Sequence, residues 1–262
     1  MKTLYKSELK MSVKTMLLWT LGVAAMSFLC IVMYADMKDD IAGMAEQFSK
    51  MGAFSEALGM DKLSIATLIG FYATEVGTIH SLGGAMFAAI ISCVILSKEE
   101  DGHTGEFLFA LPVSKSKIML SKLLSVITQV VLFHVICVAI YIIGFMIQGE
   151  SIPSEFFIFH GMQLIMCIQF AAMGFAFSAT TPKNKLGPGL ALVLLLYAFD
   201  MMGRIIPNLK DFIWLSPFSY ANAADLLSGE EVYALALCFG IAITIGSIAF
   251  AFKHYTQKDL LS

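Results

Sequence analysis

The stretch Leu123-Leu124-Ser125-Val126-Ile127-Thr128-Gln129-Val130-Val131-Leu132-Phe133-His134-Val135-Ile136-Cys137-Val138-Ala139-Ile140-Tyr141-Ile142-Ile143-Gly144-Phe145-Met146-Ile147-Gln148 contains no Asp, Glu, Lys or Arg. At about 1.5 Å of rise per helical residue it reaches about 39 Å, more than the roughly 30 Å hydrocarbon core of a bilayer. Apolar side chains surround the whole circumference, so no polar face is left for water. Five more uncharged runs lie on either side of it: Leu17 to Tyr34, Ser81 to Ser97, Phe156 to Thr181, Leu186 to Phe199 and Val232 to Phe252. Leu186 to Phe199 is the shortest, and Asp200, Met201 and Met202 extend it towards an interface. Hydrophobic residues at 58% against charged residues at 14% leave too little polar surface to cover a water-soluble domain of 262 residues. The expected fold class is an all-α integral membrane protein with six transmembrane helices.

All five cysteines (Cys30, Cys93, Cys137, Cys167 and Cys238) fall inside these runs without metal-ligand spacing, and read as small apolar packers. No metal and no other cofactor is expected on this chain. The net charge of −3 points to no nucleic acid partner. A cleaved signal peptide is the competing reading for Met1 to Tyr34. The apolar stretch is longer than the roughly 7 to 15 residues of a usual signal core and lacks a small-x-small cleavage site.

Six spans put both termini on one side, and the count of Lys and Arg then sets the orientation. Twelve lie on the side of the termini, in the first fifteen residues, Lys98 to Lys122, Lys183, Lys185 and the tail; five (Lys38, Lys50, Lys62, Arg204 and Lys210) lie on the other. A multi-pass plasma-membrane protein with cytoplasmic termini is expected, and the preference for Lys over Arg points to a bacterium. Lys2, Lys6, Lys10 and Lys14 repeat at four-residue spacing, opposite Leu4, Tyr5, Leu9, Val13 and Met16. This predicts an amphipathic interfacial helix over 1–15, made of membrane lipid contacts on one face and lysines on the other. A solvated tail whose lysines serve only as topology signals is the alternative.

Two outer segments are long. Ala35 to Thr78 carries seven acids and three lysines and becomes apolar from Leu63. Glu75, His80, Gly83 and Gly84 interrupt the apolar run that follows, so the second helix is expected to start with a break or kink. Gly203 to Glu231 holds Trp214, Pro217, Phe218 and Tyr220, an aromatic set suited to the membrane–water boundary, and 203–231 is read as an outer re-entrant or interfacial segment. No internal repeat or linker divides the chain, so 1–262 is read as a single domain.

Between the second and third spans, on the expected cytoplasmic side, lies Lys98-Glu99-Glu100-Asp101-Gly102-His103-Thr104-Gly105-Glu106-Phe107-Leu108-Phe109-Ala110-Leu111-Pro112-Val113-Ser114-Lys115-Ser116-Lys117-Ile118, continuing to Lys122. Thr104 can cap a short helix through Glu106 to Leu111, Pro112 stops it, and Ser114 can cap the helix that becomes the third span. The segment 98–122 therefore reads as a short lever fixed to two membrane helices, presenting Phe107, Leu108 and Leu111 to whatever lies against it. A connector resting on lipid headgroups has the same pattern.

This stretch resembles the signature of type-2 ABC exporter permeases: an acidic cluster, a Thr-x-Glu-x-Leu-Leu-like helix, then Pro-Val-Ser, a basic residue and a lysine before the next span. The matching residues are Glu99, Glu100, Asp101, Thr104, Glu106, Leu108, Pro112, Val113, Ser114, Lys115 and Lys122. Lys115 stands where arginine is more usual, and Phe109 replaces an aliphatic residue. The amphipathic N-terminal helix, the Trp214-Leu215-Ser216-Pro217-Phe218 segment and the tail from Phe252-Lys253 through Lys258-Asp259-Leu260 also look like that family's plan. The resemblance implies that Glu100, Asp101, Thr104, Glu106, Phe107, Leu108, Leu111, Pro112, Ser114 and Lys115 belong to a coupling helix that docks on a separate nucleotide-binding ATPase subunit. ATP and Mg would be bound by that partner, since this chain has no Gly-x-x-x-x-Gly-Lys-Ser/Thr phosphate loop. A second permease, as a homodimer or a related heterodimer, is implied as well.

A non-catalytic permease subunit of an ATP-binding cassette exporter is the function this reading favours. With 21 Phe and 17 Met and no charge inside the runs, the expected cargo is apolar or amphipathic, such as a drug, peptide or lipid. A membrane sensor that partners an ABC ATPase without moving substrate is the alternative. An intramembrane enzyme is a further rival, but there is no His-Glu-x-x-His, no Gly-x-Ser-x-Gly and no pair of intramembrane aspartates, and Glu155 and His160 are poorly spaced for one metal. His134 and His160, with Gln129, Gln163 and Gln169, are the nearest candidates for ion coupling, and read more simply as interhelical hydrogen-bonding groups.

Overall fold

A computed structural model describes residues 1–104 and 112–258. Six helices among them are long and apolar enough to cross a membrane: α1 (Lys2–Ser49), α2 (Leu68–Cys93), α3 (Lys115–Gln148), α4 (Ser154–Thr180), α5 (Gly187–Ile205) and α6 (Ala234–Gln257). Each uncharged run lies largely in one of them, including the shortest. No strand occurs among the described residues.

Helix α1 spans about 72 Å at 1.5 Å per residue, so it extends beyond a bilayer. No proline interrupts it, and the lysine-bearing segment continues into the first span as one helix. Lys2, Lys6, Lys10 and Lys14 are exposed along it. The same helix runs on past Tyr34 through the acidic stretch to Ser49, beyond where the loss of hydrophobicity marked the end of the span.

In lipid an apolar side chain gains little by turning inward, so small residues and hydrogen-bonding groups decide which face packs. Helix α1 shows this directly: Thr20, Ala24, Ser27 and Ile31 form its buried stripe, while Leu17, Leu18, Leu21 and Leu29 face outward. Its main neighbour is α3, whose Gln148 amide donates to the carbonyls of Ile31 and Val32 at 2.9 and 2.8 Å. Helices α2 and α4 form the centre. Glycines let the helices approach α2 closely: a Cβ on Gly174 of α4 would lie 2.0 Å from Ser92 Oγ, and one on Gly189 of α5 2.4 Å from Cys93 Sγ.

The expected irregularity in the second helix is a π-helical turn, Tyr72–Val76, with Glu75 exposed on it. The segment between α5 and α6 breaks into short pieces, Pro207–Lys210, Ile213–Leu215, Pro217–Ala221 and Ala223–Leu227. Two of its aromatic residues pack inward: Phe218 and Tyr220 are buried. Tyr220 donates to Gln169 Oε1 at 2.8 Å, and Gln163 donates to the Ala221 carbonyl at 2.6 Å, which draws this segment in against α4.

Candidate functional site

Met1, the C-terminal end of α6 at Lys258 and the described ends of the α2–α3 link share one end of the bundle, the terminal face. There α1, the short helix Ser97–Asp101 and α3 converge on Lys122, which is 2% exposed. Its ammonium donates to Glu8 Oε1 at 2.7 Å, Glu99 Oε1 at 2.8 Å and the Ile95 carbonyl at 3.0 Å, which uses all three of its protons. Lys98 pairs with the other oxygen of Glu8, and Thr104 Oγ1 donates to Glu99 Oε2 at 2.7 Å. Burial pushes the Glu99 carboxyl up, but Lys122 pulls it down and prevails, leaving it below the usual carboxylate range. Burial and the nearby Lys122 hold the Lys98 ammonium below the usual lysine value against the attraction of Glu8.

A second fastening joins the link to the C-terminal end of α6. Lys258 Nζ contacts both oxygens of Glu100, at 2.9 and 2.6 Å, and Lys115 Nζ donates to the Lys258 carbonyl at 2.7 Å. The Ser97 hydroxyl donates to Asn184 Oδ1 at 3.2 Å, which ties in the α4–α5 connection. The link, continuous with α2, is therefore held to three further spans, α1, α3 and α6, and to one further connection.

Of the residues assigned to the coupling helix, Glu100, Thr104 and Lys115 point into these fastenings. Asp101, Pro112 and Ser114 are exposed. Ser114 occupies the N-cap position of α3 with extended backbone, but its hydroxyl makes no capping bond. Glu106, Phe107, Leu108 and Leu111 lie outside the described residues. Glu8 and Lys98 were not singled out in the sequence, although Glu8 is the one acid among the first fifteen residues and stands off the lysine face.

The opposite face carries a different cluster. Lys62 bonds Asp225 Oδ1 at 2.7 Å and Glu230 Oε1 at 2.8 Å; Arg204 bonds Asp200 Oδ2 at 2.9 Å and both oxygens of Asp225 at 3.1 and 2.9 Å. Burial lowers the Lys62 ammonium, but Asp225 and Glu230 raise it further, above the usual lysine value. Lys62, Arg204, Asp225 and Glu230 border a cavity of about 780 Å³ that also reaches Lys210 and Tyr233.

Inside the bundle, His134 and His160 are brought together with His80, with ring centroids 4.8 and 4.9 Å from it. His160 Nε2 pairs with Tyr72 at 2.7 Å and His80 Nδ1 with Tyr141 at 3.0 Å, both between helices, whereas His134 bonds its own helix at the Val130 carbonyl. Among the described residues no group of three or more His, Cys, Asp or Glu is arranged to hold a metal.

Six apolar helices with inward-facing polar groups and a charged link clamped across their ends define a multi-span membrane protein whose parts are tied together at one face. The chain belongs to the ABC-2 family transporter proteins, whose profile matches residues 2–260. Members of this family are membrane transport components that work with ATPase subunits. No curated protein and no solved structure gives a significant match.

Proposed function

We propose that this chain is the membrane-spanning permease subunit of an ATP-binding cassette exporter, driven through the segment 98–122 by a separate nucleotide-binding subunit that holds ATP and Mg. The observation that supports this reading most is the attachment of that segment. Glu8 of α1 and Lys122 of α3 hold Lys98 and Glu99 of the link, and the Glu100–Lys258 pair binds it to α6. A subunit that pushes on the link would move these helices together, because separating the buried pairs would strand charges in a medium of low dielectric. Two such permeases, identical or related, would enclose the path of an apolar or amphipathic cargo out of a bacterial cytoplasm, with both termini of each inside.

Affinity purification of the full chain from its native membrane tests the partner, and reconstitution of the resulting complex in vesicles tests transport. A phosphate-loop ATPase should copurify, and ATP should drive flux of a fluorescent amphipathic probe. Copurification with ATP hydrolysis but no flux of any cargo would favour a sensor; the absence of any ATPase would remove the proposal.

A further inference from the structure

Within the ion-paired network on the face opposite the termini the charges do not balance. Asp200, Asp225 and Glu230 bring three carboxylates to one network, and Lys62 and Arg204 bring two cations. Asp200 is 3% exposed, and while its Oδ2 accepts from Arg204 Nε at 2.9 Å, its Oδ1 is buried without a hydrogen-bond partner. A bare carboxylate oxygen away from water is costly, so a positive group at that oxygen is the natural complement.

Space for one exists. Asp200 lines a cavity of about 40 Å³ between α2, α5 and the segment around Pro217–Leu227. Since one water needs roughly 10–15 Å³ on this scale, the cavity takes a small ion with a water or two and excludes a bulky cation. Its other polar wall residues include Thr78, Ser81 and Asn222. The Ser81 hydroxyl donates to the Gly77 carbonyl at 2.6 Å and accepts from Gln163 Nε2 at 2.6 Å, so its proton is already committed and it can offer a ligand only oxygen. One surplus negative charge with hydroxyl oxygens fits a monovalent cation; a divalent ion takes more carboxylates, and no such group is assembled among the described residues.

We propose that this cavity binds one small monovalent cation on Asp200 Oδ1, with the hydroxyl oxygens of Thr78 and Ser81 as further ligands. The ion fastens α5 to α2 from within. Helix α5 has few other buried polar attachments, since Gly189, Val193, Asp200 and Gly203 are its buried residues. The site is independent of the coupling role given to the terminal face.

The test is thermal unfolding of the full-length chain in lipid nanodiscs, in sodium, potassium, methylammonium or N-methyl-D-glucamine chloride at equal ionic strength and pH. Sodium or potassium should raise Tm by about 2–4 °C over N-methyl-D-glucamine near ten times the dissociation constant, with a saturable dependence. Asp200→Asn should abolish the difference. Should that variant fail to fold, Thr78→Val keeps the shape and the carboxylate and should raise the half-saturating concentration several-fold. Equal Tm in all four salts, an unchanged response in either variant, or a methylammonium response as strong as that of the metal ions would overturn the proposal.

Discussion

At the terminal face Glu8 and Glu99 are matched by Lys98 and Lys122, and each of their four carboxylate oxygens has a donor. At the opposite face Lys62 and Arg204 are shared among three carboxylates, and Asp200 keeps one oxygen without a donor. The first cluster is neutral, closed and centred on a lysine that is 2% exposed; the second borders open space and includes Glu230, about half exposed. The difference teaches where rigidity is concentrated. Closed ion clusters fix the register of the helices they join, whereas an open one leaves charge available to a ligand.

The contrast is broken most directly at Lys122. Lys122→Met strands Glu8 and Glu99 against each other and should destabilise the protein by about 3–5 kcal/mol, read as loss of folded, monodisperse protein on extraction. Adding Glu8→Gln to that variant should recover part of the loss, because the two side chains share one network. Lys62→Met, at a position 30% exposed with Arg204 still on Asp225, should cost about 1 kcal/mol or less in chemical unfolding. A Lys62 effect equal to that of Lys122 would erase the distinction between the clusters.

A pH series sharpens it further. The Glu99 carboxyl is held below its usual value of about 4.3, so its contribution is complete above that value and is lost as acid passes its lower folded value. The Tm gap between wild type and Glu99→Gln should therefore be constant at neutral pH and close as the pH falls below about 4. At the bottom of the scale, Glu46→Gln breaks an exposed pair with Lys50, 80% and 71% exposed, and should change stability by about 0.5 kcal/mol or less.

The spans were legible because a charged group inside hydrocarbon is costly, so runs such as Leu123 to Gln148 announce themselves whatever their neighbours. An irregularity near Glu75 was legible for a related reason, as an acid inside an apolar run, but it was expected as a break or kink and is a π-turn within a continuous helix. Glu8 was not. Its partners are 90 and 114 residues away, and nothing local distinguishes a buried acid in a lysine-rich segment from a solvated one. The grouping of His80, His134 and His160 and the burial of Phe218 and Tyr220 are likewise consequences of how separate helices meet. Of the segment 98–122, its position between α2 and α3 followed from spacing, while the inward turn of Glu100 and Lys115 depended on the distant Lys258.

The central claim, that the segment 98–122 is the attachment point of a nucleotide-hydrolysing subunit, is tested most directly by quantifying ATPase copurification with Leu108→Asp against wild type at equal membrane insertion. The account expects the ATPase yield to fall at least about tenfold, the loss of about 1.4 kcal/mol of binding. An ATPase retained at the wild-type level would contradict it.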